Sequence, residues 1–541
     1  MTSDREAPGL GGRGDLLETD VLIIGAGLAG GVVAERLSRA GLQVLCLEQG
    51  DWHPPEEFRG EERDWELTGL RQWHPNPNRR GNPGDYPIDD AASDMRPMMF
   101  NGVGGSTILY GAQWMRFLHS DFHTFSTDGV GDDWPIRYED LEPYYQQIDR
   151  AFSVSGTDGD PLMPQQPYPL PPLPMSPVGQ KLLDAHETLG WHAWPGSNAI
   201  ASRADGRLAP CRQLGVCGNG CPAGAKATTD LTHWPAAIER GARLITGAHV
   251  RRVFTDAAGR VAGADYVLRD GREGQVRAGR VVLVANAVGT ARILLNSGSS
   301  RFPDGLANGS GLVGRRLMMH PFSRAIGFFD EDLLSWRGHW GQSVYSLEFA
   351  ETRHGTGFKR GAKWNLGPSG GPLGAVTYPW ETGPVWGADL HERVGDWLGR
   401  TAVWGIICED LPEVENRVEL DRTRPDKFGV PTARLRYRIS GNSRRMLDYN
   451  LARARESLLA AGAREVLTPS LMPDFGWHPL GTCRMGDDPA TSVVDRFGAA
   501  HDVPGLFIAD SSVLVTGSCA NPAATIAALA LRTADHIVEA Q

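Results

Sequence analysis

The chain has 541 residues, too many for one compact core, and its 41% hydrophobic and 22% charged residues describe an ordinary globular protein. A formal net charge of −11 disfavours nucleic acid, whose phosphates call for a basic face, and tolerates a neutral or cationic small substrate. No apolar run reaches the roughly 18 residues of a membrane span, and the 67 glycines form no repeat.

The first segment, "MTSDREAPGLGGRGDLLETD", is polar. It reads as a disordered tail without the apolar stretch of an export signal, so the cytoplasm is the expected location. Seven cysteines, an odd number, do not suggest a disulfide framework.

"DVLIIGAGLAGGVVAERLSRAGLQVLCLEQG" follows. Residues 21–24 predict a strand; Ala29, Val33, Leu37 and Ala40 recur at helical spacing; Gly41 ends the helix; "QVLCLE" predicts a second strand. Gly25, Gly27 and Gly30 form G-x-G-x-x-G, giving a tight turn, close approach of a pyrophosphate to the backbone, and close helix–strand packing. The helix N-terminus offers free N–H groups to phosphate, and Glu48 is placed to accept from ribose hydroxyls. The pattern points to a dinucleotide and does not choose between FAD and NAD.

Residues 51–97 are rich in Pro, Arg and Trp without periodicity, which predicts a covering loop. In "NGVGGSTILYGAQWMRF", Gly104 and Gly105 allow a sharp turn, and Ser106 and Thr107 set hydroxyls beside backbone N–H groups; an ordinary glycine turn fits as well. A helix is predicted after Trp134-Pro135, then a proline-laden stretch. "PCRQLGVCGNGCPAGAK" spaces Cys211, Cys217 and Cys221 as C-x5-C-x3-C before a proline, a pattern like iron–sulfur ligation. Strand-like runs include "TAVWGIICEDL" and "RVELD". Near the end, "HPLGTCRMG" sets His478 before a Gly-Thr turn, and Asn521-Pro522 reads as a helix start, Asn as N-cap and Pro as first residue, with Ile526, Leu529, Ala530 and Ile537 on one face.

Together these segments resemble the signatures of the glucose–methanol–choline (GMC) oxidoreductases. "GGSTILYG" is similar to that family's stretch along the flavin. "VVLVANAVGTARILLNSG" resembles its middle stretch, "GLVGRRLMMHP" its G-x-x-L-x-x-H-P element, and "HPLGTCRMG…VPGLFIADSSVL…NPAATIAALALRTAD" its C-terminal signature. The resemblance covers nearly the whole chain. It implies an α/β fold, α+β overall: a Rossmann-like FAD domain assembled from residues 18–50, 95–118, 206–320 and 474–541. A covering loop at 51–94 and a substrate domain built on an antiparallel sheet from 119–205 and 321–473 complete it.

The resemblance implies oxidation of a hydroxyl of a sugar, glycoside or aminosugar alcohol by hydride transfer to flavin N5. Oxygen or another acceptor then takes the electrons. His478 is the implied base, since an imidazole titrates near operating pH, and Asn521 holds the substrate oxygen. Tyr110, Val250, Ala285, Asp510 and Pro522 are implied along the cofactor with the glycine motifs. The C-terminal helix would offer its positive end to the reduced flavin. No histidine follows Gly105 up to Tyr110, so FAD is expected to be held non-covalently. Two alternatives stay open: a sugar dehydrogenase whose three cysteines hold an iron–sulfur cluster feeding a partner protein, and an FAD-containing lyase of the same fold. For the cysteines, a plain glycine-rich loop beside the flavin is the competing reading.

Overall fold

The computed structural model describes residues 16–164, 167–377 and 386–540; the expected N-terminal tail lies outside them as far as residue 15. The first motif folds as its periodicities require: strand Leu16–Ile24, helix Leu28–Arg39, strand Val44–Leu47. The strand begins earlier than its apolar run because Leu16–Thr19 pair with Gln275–Ala278 of the long strand Glu273–Leu283. That strand is the spine of a seven-stranded sheet. On one side it runs parallel to Leu16–Ile24, which is followed by Val44–Leu47 and Arg243–Ile245. On its other side it pairs antiparallel with Val261–Leu268 and, at its C-terminal end, parallel with Leu506–Ile508.

A second, six-stranded sheet is antiparallel, in the order Glu465–Leu467, Phe322–Phe328, Thr401–Cys408, Ala362–Gly367, Val344–Ser346, Trp194–Pro195. The period of two decides its faces. Ala362, Trp364 and Leu366 are buried with Leu447, Leu451 and Leu458 of helix Gly441–Ala460. The alternate residues Lys363, Asn365 and Gly367 turn to the other face. In register across the sheet, Lys363 lies beside Ile407 and Phe322, and Asn365 beside Gly405 and Arg324.

The "RVELD" strand, Arg417–Pro425, belongs to neither sheet. With Pro431–Tyr437 and Ile88–Ser93 it forms a third, three-stranded sheet. Residues 51–94, which lack periodicity, thus contain that one strand and the short helices Trp65–Gly69 and Pro77–Arg80. The helix expected after Trp134-Pro135 spans Tyr138–Ala151, with the Arg137 N–H donating to the Asp140 carboxylate (2.8 Å). Tyr145 on it bonds Thr525 (2.7 Å), fixing the helix Ala523–Glu539 near its start. Among the described residues no helix is long and apolar enough to cross a membrane.

The two glycine motifs meet backbone to backbone. A Cβ on Gly105, at φ +54, would lie 2.7 Å from the Gly27 Cα, and one on Gly30 would lie 2.1 Å from the Gly25 carbonyl oxygen. Gly41 is also left-handed, at φ +86, but a Cβ there meets nothing within 4 Å. Gly41→Ala should therefore cost only the left-handed strain, about 1 kcal/mol. Gly105→Ala adds an overlap with rigid backbone, and roughly 2–4 kcal/mol in all is expected. Urea denaturation of the two variants checks the order; equal losses would contradict the contact.

Candidate active site

One cavity of about 320 Å³ runs between the first sheet and the free face of the second. At one end it is walled by Gly25, Gly27 and Glu48, in the middle by Gly105–Thr107 and Asp510, and at the other by His478 and Asn521. Tyr110, Val250, Ala285 and Pro522 also line it. Of the residues expected to hold a cofactor, Gly30 and Gly104 stand behind the wall. Gly30 packs on Gly25, and Gly104, at φ +95, abuts Ile108 and Asp230.

The dinucleotide end is held rigidly. Glu48 is buried and accepts the Ala26 N–H (2.7 Å) and the Gly50 N–H (2.8 Å); burial raises its carboxyl against the lowering effect of these bonds. The Ala26 carbonyl accepts from the Gly104 N–H (2.9 Å) and the Trp234 Nε1–H (2.9 Å), and the Gly27 carbonyl from Thr229 (3.2 Å). A Cβ placed on Gly27 would meet nothing nearer than the Gly105 Cα at 3.7 Å, so that cradle is open toward the cavity rather than filled. Leu28 and Ala29, in the first turn of the helix, line the same end. Such a glycine cradle at a helix N-terminus, with an acid beside it and a long cavity leading away, fits a dinucleotide cofactor.

In the middle, the Thr107 hydroxyl donates to the Gly104 carbonyl (2.5 Å), and the Phe100 N–H donates to Ser106 (3.3 Å). Tyr110, whose contact the sequence leaves open, donates its hydroxyl to the Ala227 carbonyl. Buried Asp510 accepts from Thr290 (2.6 Å) and from the Ser512 N–H (2.9 Å), tying helix Asn286–Asn296, which follows strand Glu273–Leu283, to the C-terminal segment.

At the far end stands a residue whose role the sequence did not disclose. His320, of the "MMHP" segment, sets its Nδ1 2.9 Å from the Nδ1 of His478, with ring planes at 75°. The hydrogen bonds assign both tautomers. His320 Nε2 lies 3.1 Å from the Gly517 carbonyl, which can only accept, so Nε2 carries the hydrogen. Burial pushes His320 down to about 4, so it is neutral at pH 7 and its Nδ1 is an acceptor. His478 must then donate from Nδ1, which leaves its Nε2 lone pair available. Burial first, then the neighbouring His320 and Lys363, hold His478 well below the usual histidine range, so it too is neutral.

Asn521 does not cap the following helix. Pro522 takes that place, at φ −80, the helix runs Ala523–Glu539, and the Asn521 carboxamide oxygen instead accepts from Lys363 Nζ at 2.5 Å. On the same sheet face, Asn365 Oδ1 is buried without a hydrogen-bond partner and lines the cavity. Lys363 and Asn365 were legible only as alternation in "AKWNLG".

The iron–sulfur alternative finds no support. Among the described residues no three His, Cys, Asp or Glu side chains are arranged to hold a metal ion. The Cys217 sulfur accepts from the Trp340 N–H (3.4 Å), that of Cys211 from the Gln213 N–H (3.4 Å), and burial pushes the Cys217 thiol up to about 12. The segment serves another purpose: buried Lys226 donates to the carbonyls of Cys217 (2.6 Å), Ile108 (2.8 Å) and Tyr110 (3.1 Å), pinning this loop to the second glycine motif.

Comparison with known proteins agrees with this layout. Two family models described as GMC oxidoreductase match residues 19–322 and 412–530. The chain is 38% identical over 96% of its length to 2-methyl-1,2-propanediol dehydrogenase of Mycolicibacterium austroafricanum, covering 95% of that protein. It is 30% identical over 96% of its length to paromamine 6'-oxidase of Streptomyces fradiae, covering 91% of it. Among solved structures, pyridoxine 4-oxidase from Mesorbium loti superposes with a TM-score of 0.65 at 19% identity, covering 96% of this chain and 99% of that one.

The tautomer assignment is open to measurement. With selective ¹⁵N-histidine labelling, His320 should be neutral with Nε2 protonated, and His478 neutral with Nδ1 protonated, from pH 8 to about 6. An imidazolium at either position at pH 6 would contradict the network.

Proposed function

This chain belongs to the GMC oxidoreductase family, flavoproteins that bind FAD and oxidise alcohol or sugar hydroxyls, and from that premise we propose that it holds FAD non-covalently and oxidises one hydroxyl of a small diol, sugar or aminosugar alcohol to a carbonyl, with His478 as proton acceptor. On this reading residues 18–50, 95–118, 206–320 and 474–541 carry the cofactor. Residues 51–94 cover it, and 119–205 with 321–473 supply the substrate wall.

The observation that carries the proposal is the pair His320–His478. A base for this chemistry must present an unprotonated ring nitrogen, and the chain from the Gly517 carbonyl through His320 to His478 leaves that nitrogen at Nε2. His478 then takes the hydroxyl proton as the carbon–hydrogen bond breaks, so no free alkoxide has to form in a buried site. FAD held along this cavity would supply the acceptor for the hydride of the carbinol carbon. His320 acts through His478 and is a positioning residue. Glu48 and the Gly25–Gly27 turn suit the adenosine portion of the cofactor, and the Gly105–Thr107 turn and Asp510 the portion nearer the reacting end.

A substrate with more than one hydroxyl is favoured by Asn365. Its buried, unpartnered oxygen lacks a donor, which a second hydroxyl of a diol or sugar supplies. The relatives acting on a propanediol and on paromamine accord with such a compound.

The test is anaerobic mixing of the purified protein with a panel containing 2-methyl-1,2-propanediol, common sugars and paromamine, followed through loss of flavin absorbance. Admission of air or of an artificial acceptor then separates oxidase from dehydrogenase. His478→Ala should slow flavin reduction by about 10²–10⁴-fold while FAD stays bound. Near-wild-type reduction in that variant would remove His478 from the reaction. Cleavage of a cyanohydrin with the flavin never bleached would replace oxidation by the lyase reading.

A further inference from the structure

Lys363 is wholly buried on the cavity-facing side of strand Ala362–Gly367, and no carboxylate pairs with it in any ion pair found among the described residues. Its Nζ reaches three side-chain amide oxygens: Asn521 Oδ1 at 2.5 Å, Gln113 Oε1 at 2.6 Å and Gln342 Oε1 at 2.7 Å. Three acceptors consume three N–H donors, which only the ammonium form has. Each amide is thereby oriented, oxygen toward the lysine and NH₂ away from it. The NH₂ of Gln342 donates to the Ser197 carbonyl (3.0 Å), so that side chain is satisfied at both ends. Gln113 and Asn521 line the cavity, whereas Lys363 itself stands behind them. Gln113 follows Ala112, which sits at φ +61, and Asn521 follows a loop with Ser518 at φ +55; both are conformations that non-glycine residues adopt only where surroundings impose them.

We propose that Lys363 is a positioning residue that fixes Gln113 and Asn521 as a pair of N–H donors for the substrate oxygen, with its charge behind both amides. This rests on the proposed alcohol oxidation, whose geometry it completes: His478 Nε2 receives the hydroxyl proton, and the two NH₂ groups receive the oxygen left with developing negative charge. The arrangement holds donors only on that side, so it favours the oxygen of an alcohol in the act of losing its proton over a neutral acceptor-poor group. A neutral amine would leave one of the three oxygens without a donor. The titratable or charged groups around Lys363 are His320, His478 and Cys519, all kept neutral near pH 7 by burial, with Arg324 two strands away across Thr401–Cys408. Burial also pushes Lys363 down to about 7, so the donor pair depends on pH where the other three do not.

The experiment compares wild type, Lys363→Met and Gln113→Leu as holoenzymes, with flavin content and melting temperature as the check on folding. Acetate serves as the probe for an oxygen bearing negative charge, and its binding at pH 6 is read from the absorbance change of the bound flavin. Lys363→Met should weaken acetate at least 10-fold and Gln113→Leu about 3–10-fold. With the best alcohol of the panel, Lys363→Met should lower kcat about 100-fold with KM changed less than 3-fold. It should also abolish a fall of kcat/KM above pH 7 that the wild type shows. Unchanged acetate binding in a folded Lys363→Met, or a persisting alkaline limb, overturns the proposal. If that variant loses flavin, Gln113→Leu decides, and wild-type acetate affinity there overturns it. Should no alcohol bleach the wild type, the oxidation reading fails while the acetate measurement still reports on the donor pair.

Discussion

The rest of the structure depends on one backbone contact, Gly27 against Gly105. No side chain fits on the Gly105 side of it: a methyl group there would overlap the Gly27 Cα. The contact is kept in place because the Ala26 N–H and the carbonyls of both Ala26 and Gly27 have fixed partners. Glu48 takes the Ala26 N–H, Gly104 and Trp234 supply its carbonyl, and Thr229 supplies that of Gly27. A turn held by these bonds cannot shift without exposing buried donors and acceptors, each worth about 1–3 kcal/mol if left unmade. The cavity therefore begins from an immovable corner, and its length is set by how far the second sheet stands from it.

The far end is organised by the same accounting rather than by charge pairing. A single carbonyl, that of Gly517, accepts from His320, and this one fact propagates through two rings to decide which nitrogen of His478 is free. Imidazole can do this because its two nitrogens exchange roles, and burial keeps both rings in the neutral form in which the roles differ. A carboxylate in place of His320 would also have oriented His478, but it would have raised its basicity and added a buried negative charge beside the place where, in the proposed reaction, an oxygen develops one. A neutral partner orients without that repulsion.

How much of this the sequence discloses follows from how local each signal is. The strand–glycine–helix unit at 21–40 and the acid at Glu48 were legible because turn, helix face and strand all lie within about thirty consecutive residues. His478 stood out through its neighbours, yet His320 did not, although it lies in a recognisable "HP" element. What joins it to His478 is a contact across 158 positions, and what fixes its tautomer is a carbonyl 197 positions away. At Asn521 the local signal favoured the wrong one of two readings: Asn-Pro is a good helix start, yet the helix is capped by Pro522 and the side chain bonds Lys363. "AKWNLG" carried its message as polar–apolar alternation on a strand whose polar face could as easily have met solvent. The cysteine spacing suggested ligation because thiols are the conspicuous groups there, whereas the fold uses the Cys217 carbonyl.

Two buried lysines show how the same group is put to different ends. Lys226 is held by three backbone carbonyls, which the chain itself keeps in place, so its bonds join segments together. Lys363 is held by three side-chain amides, which rotate freely unless something holds them. Neither has a carboxylate among its hydrogen-bond partners, and burial, which pushes Lys363 down to about 7, disfavours its charged form. A methionine of similar length would avoid that cost, so stability alone does not account for an ammonium at this position. What the ammonium does, and an apolar chain would not, is hold the oxygens of three amides toward itself, which in the proposed role leaves two of their NH₂ groups for the substrate. The energy spent in burying it is spent before any substrate arrives, which is when orientation has to be settled if the donors are to meet charge as it forms.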